Sequence, residues 1–228
     1  MSAKNIDIVL DSLKDGSFKD WNIEEQREAL QLKEDDNDPY SASILDFIVD
    51  NGLVSKIPKD ILDDKNIVFR DGSGDVLNGL LHMCATDEQW RDIPKRLLTE
   101  KNLLVPNFWG NTPIHEAANQ GSYNFIIENL DILSEKTFVE ISRDNDTALE
   151  LLISTKTGSN TERPPLKNKE TILSKVLKKF NHESLKSFYN DRIKDNPLID
   201  PDDKQIFKKH LAIPVIKKLA QSEQYLEI

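Results

Sequence analysis

The 228-residue sequence has one cysteine, Cys84, and only eight glycines, three tryptophans and two methionines. A lone cysteine excludes an intramolecular disulfide and a zinc site built on several thiolates, and it suits a reducing compartment. No run of eighteen apolar residues occurs, so no transmembrane helix is expected. The opening segment MSAKNIDIVLDSLKD carries acids inside its short apolar run, and no secretory signal is expected there. Glycine loops that cradle phosphate, of the GxGxxG or GxxxxGKS/T kind, are missing as well. Positive charge is in short supply: 30 Lys/Arg stand against 40 Asp/Glu, net -10, so non-specific nucleic-acid binding is not expected. Hydrophobic residues make up 38% of the chain, enough for a core and too many for a disordered segment.

The charge is unevenly placed. Residues 1–159 hold 16 basic and 30 acidic side chains, whereas residues 160–228 hold 14 and 10. An acidic body thus precedes a mildly basic tail, which solvated helix faces would also explain.

What the sequence does have is an internal repeat. IPKDILDDKNIV at 57–68 returns as IPKRLLTEKNLL at 93–104, an offset of 36. A weaker copy, LSEKTFV at 133–139, follows LTEKNLL by 35. A second segment recurs between these: SILDFIVDNG from 43, GLLHMCATDE from 79, TPIHEAANQG from 112 and TALELLISTK from 147. A period in the mid-thirties predicts stacked helical units.

The third copy, GNTPIHEAANQG at 110–121, closely resembles the signature of the ankyrin repeat. The IPK–LLTEKNLL variant is similar to ankyrin repeats common in bacterial proteins. The resemblance implies an all-α fold: an ankyrin-repeat solenoid of about four helix-turn-helix units over 39–181. Helical caps are expected at 1–38 and 182–228, with an insertion loop at 155–168. Other copies depart from the pattern: Gly79 and Leu80 stand for Thr and Pro, Asp46 for His, and Asn145 for Gly.

The residues read from the bottom up agree. Gly110 supplies a left-handed position in the NFWGN turn, Thr112 is a natural N-cap, and Pro113 fits the first helical turn. Gly121 ends the helix. Phe125, Ile126, Leu130 and Leu133 form the apolar stripe expected of a second helix, and Pro58 and Pro94 are expected to open theirs. Ile6, Val9, Leu10 and Leu13 share one face of an N-terminal helix. In the tail, Ile206, Phe207 and Leu211, then Val215, Ile216 and Leu219, suggest two helices punctuated by Pro214.

Catalytic chemistry is hard to find. His82 and Cys84 are two apart on an expected helix and face different ways, a poor base–nucleophile pair. Cys84 reads as a buried thiol, and His115 is the histidine that in ankyrin repeats bonds neighbouring loops. DGSGD at 71–75 alternates like a calcium loop, but Val76 and His82 stand where that loop needs Gly and Glu. No catalytic residue, metal or cofactor is expected.

The resemblance implies a protein partner held on the inner surface of turn tips and first helices. By register, the variable inner positions are Tyr40, Ala42, Asp50 and Asn51; then Asp75, Val76, Asn78, Thr86 and Asp87. They continue with Phe108, Trp109, Asn111, Asn119 and Gln120, then Arg143, Asp144, Asp146, Ser154 and Thr155. Phe108 and Trp109 are aromatic where family members are usually polar. Partner contact explains them, and so does packing of one ring on an adjacent turn. The five acids Asp50, Asp75, Asp87, Asp144 and Asp146 call for a basic partner with an apolar anchor. The leading expectation is a non-enzymatic interaction module, cytoplasmic, or secreted into a host cytosol if it is a bacterial effector. Two rivals stand beside it: an enzyme or regulatory subunit using His182, His210 and Tyr189 in the C-terminal region, and basic helices contacting anionic membrane or nucleic acid. Oligomeric state and partner identity are open.

Overall fold

In a computed structural model the described residues are 5–34, 41–64, 67, 79–86, 88–154 and 169–224, with side chains between 170 and 213 in the last stretch. They form helices and turns with no strand among them; three isolated bridges, such as Ile141 to Thr147, tie loop ends together. The all-α expectation holds at that level. The insertion loop 155–168 and the calcium-loop comparison at 71–75 lie outside the described residues.

The helices, in chain order, are α1 (Ile6–Asp15), α2 (Ile23–Ala29), α3 (Ile44–Asp50), α4 (Leu80–Cys84), α5 (Glu100–Leu103) and α6 (Pro113–Gln120). They continue as α7 (Tyr123–Glu128), α8 (Glu135–Val139), α9 (Ala148–Ile153), α10 (Lys169–Leu177), α11 (His182–Phe188) and α12 (Pro201–Gln224). Short 3-10 turns join several of them.

Local chemistry explains where they start. Ser43, Thr112 and Thr147 each cap a helix, and the third helical residue (Asp46, His115 or Glu150) reaches back to the cap backbone. Such reciprocal caps satisfy backbone donors that the first turn leaves open. Gly121 closes α6 at φ 75, a left-handed value that glycine adopts without strain. Asn145 adopts φ 65 where the pattern has glycine, as expected of an asparagine.

These helices pack in order along the chain: α1 on α3, α3 on α4, α4 on α6 and α6 on α9. Ala117 and Ala118 are fully buried between neighbours, where larger side chains would hold the helices apart. Cys84 is fully buried too.

A second layer carries the other recurring segment and corrects three expectations. Pro94 does not open the second helical piece of its unit; the turn Glu88–Asp92 precedes it, and Pro94, at ψ 129, is the extended cap of the turn Lys95–Leu97. Pro58 likewise follows the turn Val54–Lys56. Ile57 and Ile93 are buried just before the prolines, which holds the chain extended there. The stripe from Phe125 to Leu133 is split: α7 stops at Asn129, whose side-chain amide donates to the Phe125 carbonyl at 2.8 Å. At the tail, α12 is one helix running through Pro214 rather than two. Proline removes one backbone donor, and the helix continues across it here.

A ladder of carboxylates joins successive copies of this second segment. Asp64 accepts from the Asn102 amide at 3.0 Å. Glu100 accepts from the Ser134 backbone N–H at 2.9 Å, the Thr137 hydroxyl at 2.8 Å and the Ser134 hydroxyl. Glu135 accepts from the Asn181 backbone N–H at 3.1 Å and the Ser184 hydroxyl at 3.2 Å. Glu100 and Glu135 each start one short helix and support the start of the next copy. The Ser134 hydrogen bonds foremost hold the Glu100 carboxyl below its ordinary pKa.

Candidate partner-binding face

Two consecutive turns are built alike, 35 residues apart. In the first, the Asn107 side-chain oxygen accepts from the backbone N–H of Trp109 at 3.0 Å and of Asn111 at 2.9 Å. In the second, the Ser142 hydroxyl accepts from the Asp146 N–H at 3.3 Å. Gly110 and Asn145 take the left-handed position in each. Side chains that bond their own turn in this way fix the tip without help from neighbours.

The tips then touch. The Arg143 backbone N–H donates to the Trp109 carbonyl at 3.2 Å, and its guanidinium lies 4.6 Å from the centre of the Phe108 ring. Phe108 is half-buried against the core, with its ring edge-on to Trp109 at 5.9 Å. Trp109 remains 46% exposed. Of the two aromatics, one packs and one projects.

Inside the turns, the third helical residues are Asp46, His82, His115 and Glu150. His82 Nε2 bonds the Val105 carbonyl at 3.0 Å and the Asn111 carbonyl at 3.1 Å, and His115 Nε2 bonds the Glu140 carbonyl at 3.0 Å. Carbonyls only accept, so Nε2 carries the hydrogen in both rings. Burial, opposed by these bonds, pushes the His82 pKa down to about 4 and lowers that of His115. Both rings are neutral ties between one unit and the loop of the next. At the fourth position Glu150 replaces histidine and faces the tail instead: Arg192 donates to it from Nε at 3.1 Å and from Nη2 at 2.6 Å.

A groove crosses α3, α4 and the start of α6. It is lined by Asp46, Asp50 and Glu116, by Val49 and Met83, and by His82 and Thr86. Three carboxylates border it, and no Lys or Arg does among the described residues.

The expected inner-face residues sort as follows. Asp50 is exposed on the groove, Trp109 and Asp144 are exposed at successive tips, and Gln120 is exposed and Asn119 half-buried at the end of α6. Asn111 is committed within its turn, its amide donating to Glu116 Oε1 at 2.9 Å. Asp146 is half-buried and, with Asp144, borders a separate acidic cleft shared with Asp191 and Asp195. Asp50 and the pair Asp144 and Asp146 thus border different depressions. Tyr40, Asp75 and Asp87 lie outside the described residues. Val49, Met83 and Glu116 were missed; their only sequence signal is their place on the first helices.

The rival catalytic residues divide. His182 and His210 line one cavity, while Tyr189 is buried beside Phe207. No cluster of metal-ligating side chains occurs among the described residues, and no helix among them is long and apolar enough to cross a membrane. A scan against protein-family models finds no match to this chain, and a search of curated proteins finds none.

Proposed function

We propose that the chain is an ankyrin-repeat interaction module that binds a protein partner across the first helices and turn tips. The partner surface is basic with an apolar or aromatic anchor. The observation that carries this reading is the groove lined by Asp46, Asp50 and Glu116 together with Val49 and Met83, in a body whose next turn tip leaves Trp109 46% exposed. The mid-thirties period, the consecutive packing of α3, α4, α6 and α9, and the histidine ties from unit to loop support the repeat assignment. Binding of this kind uses surface already fixed by the Asn107 and Ser142 turns, which keeps the ordering cost of association low. Carboxylates on the groove speed encounter with a cationic partner and select against acidic ones.

Selection from a random-peptide display library against the full chain tests the proposal. Peptides rich in Lys or Arg with one aromatic or branched aliphatic residue are expected, with a Trp109→Ala/Asp50→Lys variant failing to enrich them. Enrichment of acidic peptides, or the same peptides from wild type and variant, would overturn it.

A further inference from the structure

A cavity of about 380 Å3 opens between α10, α11 and α12. Small-molecule sites span about 300–1,000 Å3, so its size is that of a ligand rather than a water. Its apolar lining is Leu177, Phe180, Leu185 and Ile213, the last 43% exposed. Its polar lining is Lys178, His182 and His210, with no acid among the described lining residues. His182 Nδ1 is buried and has no hydrogen-bond partner among the described residues. Burial, and then the charge of Lys178, hold the His210 pKa below its ordinary value. The pocket thus lies in the basic C-terminal part of the chain, and its described polar lining is one lysine and two imidazoles without a carboxylate.

We propose that this cavity binds a small amphipathic carboxylate. The apolar body lies against Phe180, Leu185 and Ile213, and the carboxylate sits between Lys178, His182 and His210. A carboxylate there accepts charge-assisted hydrogen bonds and removes the repulsion between Lys178 and a protonated His210. It also accepts from the buried His182 Nδ1 when that nitrogen carries the hydrogen. The site is independent of the groove on the first helices and stands whether or not that groove binds protein.

The probe is decanoate, titrated calorimetrically into the full chain below its micelle concentration, with 1-decanol as the uncharged comparator. Saturable binding at one site is expected, weakened at least about tenfold by Lys178→Glu and abolished by Ile213→Asp. Both side chains are exposed, and circular dichroism checks that each variant is folded. On saturation with decanoate, and not with decanol, the ring nitrogens of His182 and His210 should shift in NMR spectra. No saturable binding, decanol binding as tight as decanoate, or full affinity in folded Lys178→Glu protein would overturn the proposal.

Discussion

Arg192 holds Glu150 through both carboxylate oxygens, with Nε 3.1 Å from each and Nη2 2.6 Å from Oε2. The same guanidinium donates to the Asn145 carbonyl. Glu150 also accepts from the Thr147 backbone N–H at 3.1 Å, so one carboxylate caps α9 and fastens the tail to it. Its side chain is only 9% exposed. Arg192→Ala leaves a nearly buried charge without its cation, and a loss of about 2–4 kcal/mol is expected in urea denaturation. Arg192→Lys should recover only part of this, because an ammonium cannot span both oxygens.

The carboxylate ladder predicts a second loss. Glu100 receives two hydroxyls and one backbone N–H from the following copy. Glu100→Ala should destabilise the chain by about 1–3 kcal/mol and raise amide exchange around Ser134 and Thr137. An unchanged denaturation midpoint would mean the ladder is incidental.

Acid should weaken the fold before the carboxylates titrate. The folded His82 pKa of about 4 lies below its ordinary 6.5, so at intermediate pH the unfolded chain binds the extra proton. Stability is therefore full above about pH 6.5 and declines as pH falls toward 4. Between pH 7.5 and 5 the loss from His82 is about 2 kcal/mol. His115, lowered in the same direction, adds to it. Denaturation at both pH values checks this, and His82→Gln should flatten the dependence.

Gly110 has φ 76, and a Cβ added there would meet the Arg143 backbone nitrogen at 2.7 Å. Gly110→Ala should cost about 2 kcal/mol or more, through left-handed strain and a pushed-apart neighbour turn. Asn145→Gly, at the equivalent position without an added Cβ, should stay within about 0.5 kcal/mol of wild type. The urea midpoints of the pair check both.

The start of α6 was legible because capping is local, in Thr112 followed by Pro113, whereas the equivalent caps Ser43 and Thr147 were not read although the same spacing to Asp46 and Glu150 is visible in one dimension. The turn tips were legible for the same reason, through Gly110 and Asn145. Pro94 and Pro214 misled in opposite directions, since a proline marks a boundary without saying on which side a helix lies, and a long helix can absorb one. Contacts between units were not legible. Glu100 meets Thr137, and Glu150 meets Arg192, across 37 and 42 residues, and nothing in either segment names its partner. On the candidate face, Trp109 and Asp50 could be singled out from the register, whereas Val49 and Met83 read as ordinary helix residues until three helices lined them up.

Trp109 offers the most direct test of the interaction face. One selected cationic peptide should be titrated into wild type and Trp109→Ala, and both proteins unfolded in urea. The expected result is an affinity loss of about 2 kcal/mol or more with stability unchanged within about 0.5 kcal/mol. Unchanged affinity together with a stability loss of several kcal/mol would make Trp109 a packing residue and contradict the proposed face.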